Sequence, residues 1–244
     1  MNTLIFPEWP KPKNVSTCST TRIGGVSHPP FDSLNLGDHV EDLPEAVREN
    51  RHRLEELAQL PQQPVWLEQV HGTHVLHLTG NQIKNRQADA VYTNQVGQVC
   101  AIMTADCLPV LFCSRDGQEV AAAHAGWRGL CNGVLENTLA QFNAQPSDII
   151  AWMGPAIGPD KFEVGAEVKQ AFVSQSADLA EAFVSQNDKF LANIYLLARK
   201  KLLKAGVSAV YGGEFCTVSD ENRFFSYRRE GKTGRMASLI WINN

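Results

Sequence analysis

Three apolar runs follow one another between residues 98 and 126: "QVCAIMTA" (98–105), "PVLFCS" (109–114) and "EVAAAHAG" (119–126). Each is too short for a buried helix and is bounded by turn residues, so each reads as a buried strand. Consecutive strands of this kind need covering layers. The segments "PEAVRENRHRLEELAQL" (44–60), "LCNGVLENTLAQF" (130–142), "GAEVKQAFVSQ" (165–175) and "FLANIYLLARKKLLKAG" (190–206) read as helices. The first has Pro44 near its start and an apolar stripe of Ala46, Val47, Leu54, Leu57 and Leu60; the last is closed by Gly206. Further strands are expected at 15–22, 64–72, from 149, at 209–216 and at 235–242. The alternation predicts a single-domain, layered α/β sandwich over residues 1–244, without repeats or linkers. Periodicity leaves the strand order open.

The formal net charge of −4, from 22 basic and 26 acidic residues, is no footprint for nucleic acid. The one dense basic cluster, Arg223, Arg228, Arg229, Lys232 and Arg235, reads as a small-anion site or a solvated rim. The N-terminus "MNTLIFPEWPKPK" lacks the apolar region of a signal peptide, and no stretch approaches the ~20 apolar residues of a membrane helix. The expected location is the cytoplasm. Six cysteines are then expected to be reduced and mostly small buried groups, and no C-x-x-C is present.

Chemistry is sought at strand ends. His71, His74 and His77 form H-x-x-H-x-x-H in a segment that reads as strand, so alternate side chains face apart and the three cannot share one ion. His71 stands out because Gly72 follows it. Cys107 sits at a turn after a buried strand, next to Asp106, and His124 ends another strand before "AGWRG". A helix starting there, with Arg128, offers an anion seat. His71, Cys107 and His124 suit Zn²⁺ with one open position. The same residues allow a Cys–His nucleophile pair, or simply a buried thiol and a hydrogen-bonded histidine. Spacing does not choose among these. Arg22 in "TTRIGGVS" reads as an anion contact or a turn. "GPAIGP" (154–159) reads as a pocket wall or a tight loop. "FFSYRREGKTGR" (224–235), which includes Tyr227, reads as a base-stacking platform with Arg228 or Arg229 holding an anion, or as a hairpin edge.

"TRIGGVS", "SLNLG", "WLEQVHG", "ADA", "TADCLPVLF", "HAGWRGL", "GPAIGP", "FFSYRR" and "TGRMA" occur in this order. Together they resemble the YfiH family, also called laccase-domain or "polyphenol oxidase" proteins, from about Thr17 to Trp241. The resemblance implies a YfiH-like layered α/β fold with a mixed sheet core. It also implies a metal triad at His71, Cys107 and His124 that takes zinc, with copper also claimed. By similarity Arg22, Asp106 and Arg228 lie near the pocket. Arg128 and Tyr227 join Arg22 and Arg228 as expected substrate contacts, and Cys107, His124 and Asp106 as expected catalytic groups.

Three activities come with the resemblance. The first is phosphorolysis of adenosine, inosine, guanosine and methylthioadenosine with deamination of adenosine. The second is copper-dependent phenol oxidation, and the third is hydrolytic removal of incorrect amino acids from peptidoglycan (UDP-MurNAc) precursors. A non-catalytic nucleotide-binding role is a fourth possibility. Multicopper oxidation calls for paired H-x-H motifs, and this chain has seven histidines and no H-x-H. Deamination needs an activated water and an acid/base group, for which Asp106 or Glu68 is the expectation. Phosphorolysis needs phosphate held beside the ribose, by the helix start at 127–129 and by arginines. The partners expected are therefore a purine nucleoside and phosphate, with no nucleic acid and no membrane, acting on a monomer or small homo-oligomer. Position 193 is Asn where relatives are expected to carry an acid; a capping or solvent-facing role would make the change harmless.

Overall fold

A computed structural model describes residues 2–81 and 83–243. In chain order the strands are β1 (Leu4–Ile5), β2 (Val15–Thr20), β3 (Val75–His77), β4 (Ala90–Thr93), β5 (Val99–Thr104), β6 (Leu108–Ser114), β7 (Val120–Ala125), β8 (Ile149–Met153), β9 (Glu163–Val164), β10 (Phe183–Gln186), β11 (Lys189–Ala192), β12 (Ala209–Gly212) and β13 (Met236–Ile242). The α-helices are α1 (Pro44–Ala58), α2 (Trp127–Asn132), α3 (Val134–Leu139), α4 (Ala166–Val173), α5 (Ile194–Lys204) and α6 (Tyr227–Glu230).

The three apolar runs are strands β5, β6 and β7, every residue of them buried. They do not share one sheet. β5 closes a four-stranded sheet in the order β1-β2-β13-β5, whereas β6 and β7 are central in a six-stranded sheet ordered β12-β8-β6-β7-β4-β3. The larger sheet is mixed: β12–β8 and β3–β4 are parallel pairs, and the pairs among β8, β6, β7 and β4 are antiparallel. A small third sheet is ordered β10-β11-β9.

The period of two along each strand assigns side chains to layers. Cys100 and Ile102 of β5 pack with Leu111 and Cys113 of β6 and Val120 and Ala122 of β7 between the two large sheets. Val110 and Phe112 of β6, with Ala121 and Ala123 of β7, face the other way, against Leu135 of α3 and Leu197 of α5. Val99, Ala101 and Met103 of β5 face outward against Leu54 and Ala58 of α1. The result is a helix–sheet–sheet–helix sandwich, the layered α/β arrangement with a mixed core expected from the sequence.

Several elements differ from the sequence expectation, each for a local reason. The stretch 64–72 is not a strand; its one bridge is Glu68 to Gln87. Side chains replace the ladder there: Gln69 exchanges hydrogen bonds with the backbone of Met103 (2.7 and 2.8 Å), and the Asp89 carboxylate accepts from the N–H groups of Val70, His71 and Gly72. The helix expected at 130–142 begins earlier, at Trp127, and is broken at Gly133, whose φ of 99° ends α2. The helix expected at 190–206 loses its first residues to β11 and starts after Asn193, whose side chain accepts from Leu196 N at 2.9 Å. Asn193 is thus a cap, the harmless role. In α1, Leu57 of the expected stripe is exposed and Asn50 is buried instead, bonded to Ser33 O, Asn35 O and Val26 N.

Candidate metal centre and cleft

Strand register builds the site. Pro109 of β6 pairs with His124 of β7, and Leu108 with Ala125, so Cys107, just before β6, arrives beside the end of β7. The chain reaches Cys107 by crossing between sheets at Asp106, which adopts a left-handed φ of 88°. On the other flank, β4 pairs with β7 through Ala90 and Ala123, and His124 N donates to Asp89 O at 2.7 Å. Asp89 then holds the turn carrying His71, itself at φ 60°. His71, Cys107 and His124 meet, with ligand atoms all within 4.8 Å of one another. His74 and His77 stay outside this group; His71 sits on a turn before β3, so strand alternation, which would have put His77 on its face, does not relate them.

Whether these residues suit a metal ion is testable on the geometry. Two imidazoles and a thiolate form an N₂S set typical of an open zinc site. The His124 Nδ1–H donates to Asp89 Oδ1 at 2.8 Å, which leaves Nε2 free to face the group. Gly126 leaves the space open: a Cβ there would lie 3.0 Å from His71 Cδ2, 3.1 Å from Cys107 Sγ and 3.6 Å from His124 Nε2. The residues therefore fit an ion. Without one, the pair is strongly coupled. Burial works to raise the Cys107 thiol, but His124 and His71 outweigh it and bring it down to about 6. Burial opposes the His124 imidazolium, but Cys107 and Asp89 prevail and lift it to about 9. Asp89 is fully buried; burial works to raise it, and its bonds to His124 and to the Gly72 N–H hold it below the usual carboxylate range. Asp89 lies in the motif "ADA" (88–90), but the sequence assigned it no role.

The triad lies in a cleft of about 520 Å³ whose lining includes Trp127, Phe162, Tyr227, Arg128, Arg228 and Arg235. Three of the four expected substrate contacts are there. Arg128 lies over the Trp127 ring at 4.6 Å. The Arg228 guanidinium donates to Glu163 O at 3.1 and 3.2 Å. Tyr227 is 61% exposed at the cleft. Arg22 is elsewhere. It lines a separate cleft with Asp32, Glu221 and Glu230, and donates to Asp32 O and Glu230 Oε1 at 2.8 Å. The expected substrate contact at Arg22 is thus replaced by a structural ion pair.

Further sequence readings change at this site. Both oxygens of Asp106 are engaged: Oδ1 accepts from Thr217 Oγ1 at 2.6 Å, and Oδ2 from Ser226 Oγ at 3.1 Å and Arg228 N at 2.6 Å. That geometry makes Asp106 a tether between the metal segment and α6, rather than a free acid or base. Glu68 is exposed and does not line the cleft. The segment 224–235 is no hairpin: Phe224 and Phe225 are fully buried, and Arg229 is spent on the carbonyls of Thr217, Val218 and Phe224. Of that stretch, Tyr227, Arg228 and Arg235 reach the cleft.

A mixed-sheet sandwich with a His–Cys–His group at the strand ends is the architecture of laccase-domain proteins. Residues 16–243 match the family described as "multi-copper polyphenol oxidoreductase laccase", and the chain belongs to that YfiH-type family. It is 59% identical over 242 residues to "Purine nucleoside phosphorylase YfiH" of Escherichia coli, covering 99% of this chain and 100% of that protein. It is 53% identical to "Purine nucleoside phosphorylase PA4543" of Pseudomonas aeruginosa, with both chains covered in full. Among solved structures, Neisseria meningitidis protein NMB0706 superposes with a TM-score of 0.94 at 49% identity, covering 100% of each chain. Bacillus licheniformis YfiH superposes at 0.91 with 30% identity, covering 99% of this chain and 97% of that one.

No helix is long and apolar enough to cross a membrane among the described residues.

Proposed function

We propose that the chain is a purine nucleoside phosphorylase acting in the cleft beside His71, Cys107 and His124, with zinc as the metal. The observation that carries this is the convergence in one cleft of the metal-ligating trio, aromatic faces and several arginines, in a chain whose relatives bear that activity in their names. In phosphorolysis a phosphate oxygen bonds to the anomeric carbon while the bond to the purine nitrogen breaks, and the purine leaves with a proton. The arginines would neutralise and orient the phosphate. Trp127, Phe162 and Tyr227 offer faces on which the base can stack, holding the glycosidic bond near the phosphate. Zinc held by His71, Cys107 and His124 supplies a Lewis acid at this end of the cleft. Asp89 keeps His124 in the tautomer whose Nε2 faces the group. Adenosine deamination belongs to the same proposal: there water adds at the purine carbon that bears the amino group, and ammonia leaves to give inosine.

The family description names copper oxidation. Among the described residues His71, Cys107 and His124 form the one group of side chains placed to hold an ion. Four-electron oxidation by several coppers needs more such groups, so the donor set favours a single-metal polar reaction.

The test is chromatography of adenosine and inosine incubated with metal-quantified protein, with and without phosphate, beside Cys107→Ala. Phosphate-dependent release of the base, lost in the variant together with bound metal while the fold is kept, is the expected result. Absence of turnover would overturn the nucleoside reading and direct attention to hydrolysis of cell-wall nucleotide precursors.

A further inference from the structure

We infer that Arg235 is the phosphate-binding residue of the cleft, a half-buried guanidinium that lacks a carboxylate partner and awaits an anion. The inference rests on the phosphorylase reading for its choice of anion.

The cleft's three arginines are not equivalent. Arg228 is exposed and spends both terminal nitrogens on Glu163 O. Arg128 is exposed and stacked on Trp127, at the rim. Arg235 is more buried than either. Its Nη1 donates to Thr233 O at 2.9 Å and Gly234 O at 3.1 Å, which fixes the plane of the guanidinium. Its Nη2 and Nε make no hydrogen bond among the described residues, and no carboxylate pairs with it. The one acidic side chain in the cleft, Asp106, has both oxygens taken by Thr217, Ser226 and Arg228. A cation withdrawn from water without a counter-ion is costly unless something completes it. Completion by an anion repays that cost, and an arginine fork matches two oxygens of a phosphate.

Location agrees with chemistry. Arg235 opens the approach to β13, and lines the same cleft as the metal trio. Gly37 packs against its stem, where a Cβ would come within 2.8 Å of Arg235 Cγ. The imidazole of His39 lines the same wall and is held below its ordinary range by burial and by Arg235. An imidazole on this wall can donate a hydrogen bond to the same anion. This places phosphate beside β13, away from the start of the six-residue helix α2.

The experiment has two arms on the zinc-loaded protein, using Arg235→Gln and Arg235→Lys. In the first, inorganic phosphate is titrated calorimetrically without nucleoside. In the second, the KM values for phosphate and for inosine are measured separately. Arg235→Gln is expected to weaken phosphate about 10- to 100-fold in both arms, the scale of charge-assisted hydrogen bonds. The KM for inosine, zinc content and melting temperature are expected to hold. Arg235→Lys keeps the charge without the fork and is expected to fall between, and it carries the test if the Gln variant does not fold. Equal phosphate binding by wild type and variants, or a change confined to the KM for inosine, would overturn the inference. If the wild type shows no phosphate-dependent turnover, the phosphorylase reading fails alone, and calorimetry still decides: binding lost in the variants supports the seat, and no binding by the wild type overturns it.

Discussion

The Asp89 carboxylate and the His124 imidazole form a fully buried pair, Oδ1 accepting from Nδ1 at 2.8 Å. Asp89 also accepts from the backbone of Val70, His71 and Gly72, so one side chain aims one histidine and holds the loop bearing another. Asp89→Asn keeps the shape but turns an acceptor into a donor facing N–H groups. Zinc affinity is expected to fall about 10- to 100-fold, as for other residues that orient a metal-binding histidine. Competition with a chromogenic chelator reads this directly; an unchanged affinity would sink the assigned role.

Gly126 gives a complementary prediction. A methyl group there would press on His71 Cδ2 and Cys107 Sγ. Gly126→Ala is expected to lower zinc stoichiometry and activity while the metal-free protein keeps its fold, since the methyl meets the ends of side chains rather than backbone. Full zinc occupancy in the variant, measured by elemental analysis, would count against a metal site at this spot.

Thiol reactivity should sort the cysteines. At neutral pH in metal-free protein, Cys107 is lowered to about 6 against the pull of burial, and Cys216 is also lowered, where Ser219 and the Gly158 N–H outweigh burial. Burial pushes Cys18 and Cys113 up to about 12, and raises Cys100 too. Alkylation followed by peptide mass mapping is expected to label Cys107 and Cys216 well ahead of those three, because the thiolate reacts. Zinc should protect Cys107 alone; protection of Cys216 would show that the metal sits elsewhere.

Glu230 predicts a pH dependence of stability. Burial works to raise it, but Thr233, Arg22 and Arg229 hold its carboxyl below the ordinary value. A depressed folded pKa contributes stability that is present above the unfolded value and is lost as pH falls through the folded one. Glu230→Gln is expected to cost about 1–3 kcal/mol at pH 7. That difference should shrink as pH drops below about 4, where the wild-type carboxyl protonates as well. Urea melts at pH 7 and at acid pH check it; a deficit constant across both would remove the charge from the explanation.

Sequence alone determined the sandwich's central elements. β5, β6 and β7 are apolar throughout, and α1 carries a helical stripe, so composition and period sufficed. Local chemistry was harder to read where one side chain changes the outcome. The Asn193 cap shortened α5, Gly133 split the helix after β7, and the Asp89 carboxylate freed 64–72 from strand pairing. The motifs of the family identified His71, Cys107 and His124, whereas their spacing could not, because 36 residues separate the first two.

Only the tertiary structure decided which side chains are available for chemistry. It brought Cys107 to His124 through the β6–β7 register, and recruited Asp89, to which the motif "ADA" had given no role, from the adjoining end of β4. It also withdrew Arg22, Arg229 and Asp106 into bonds of their own and left Arg235 without a carboxylate. Residue type states what a group can bond to. Whether it is already bonded depends on neighbours distant in the chain, and only folding supplies them.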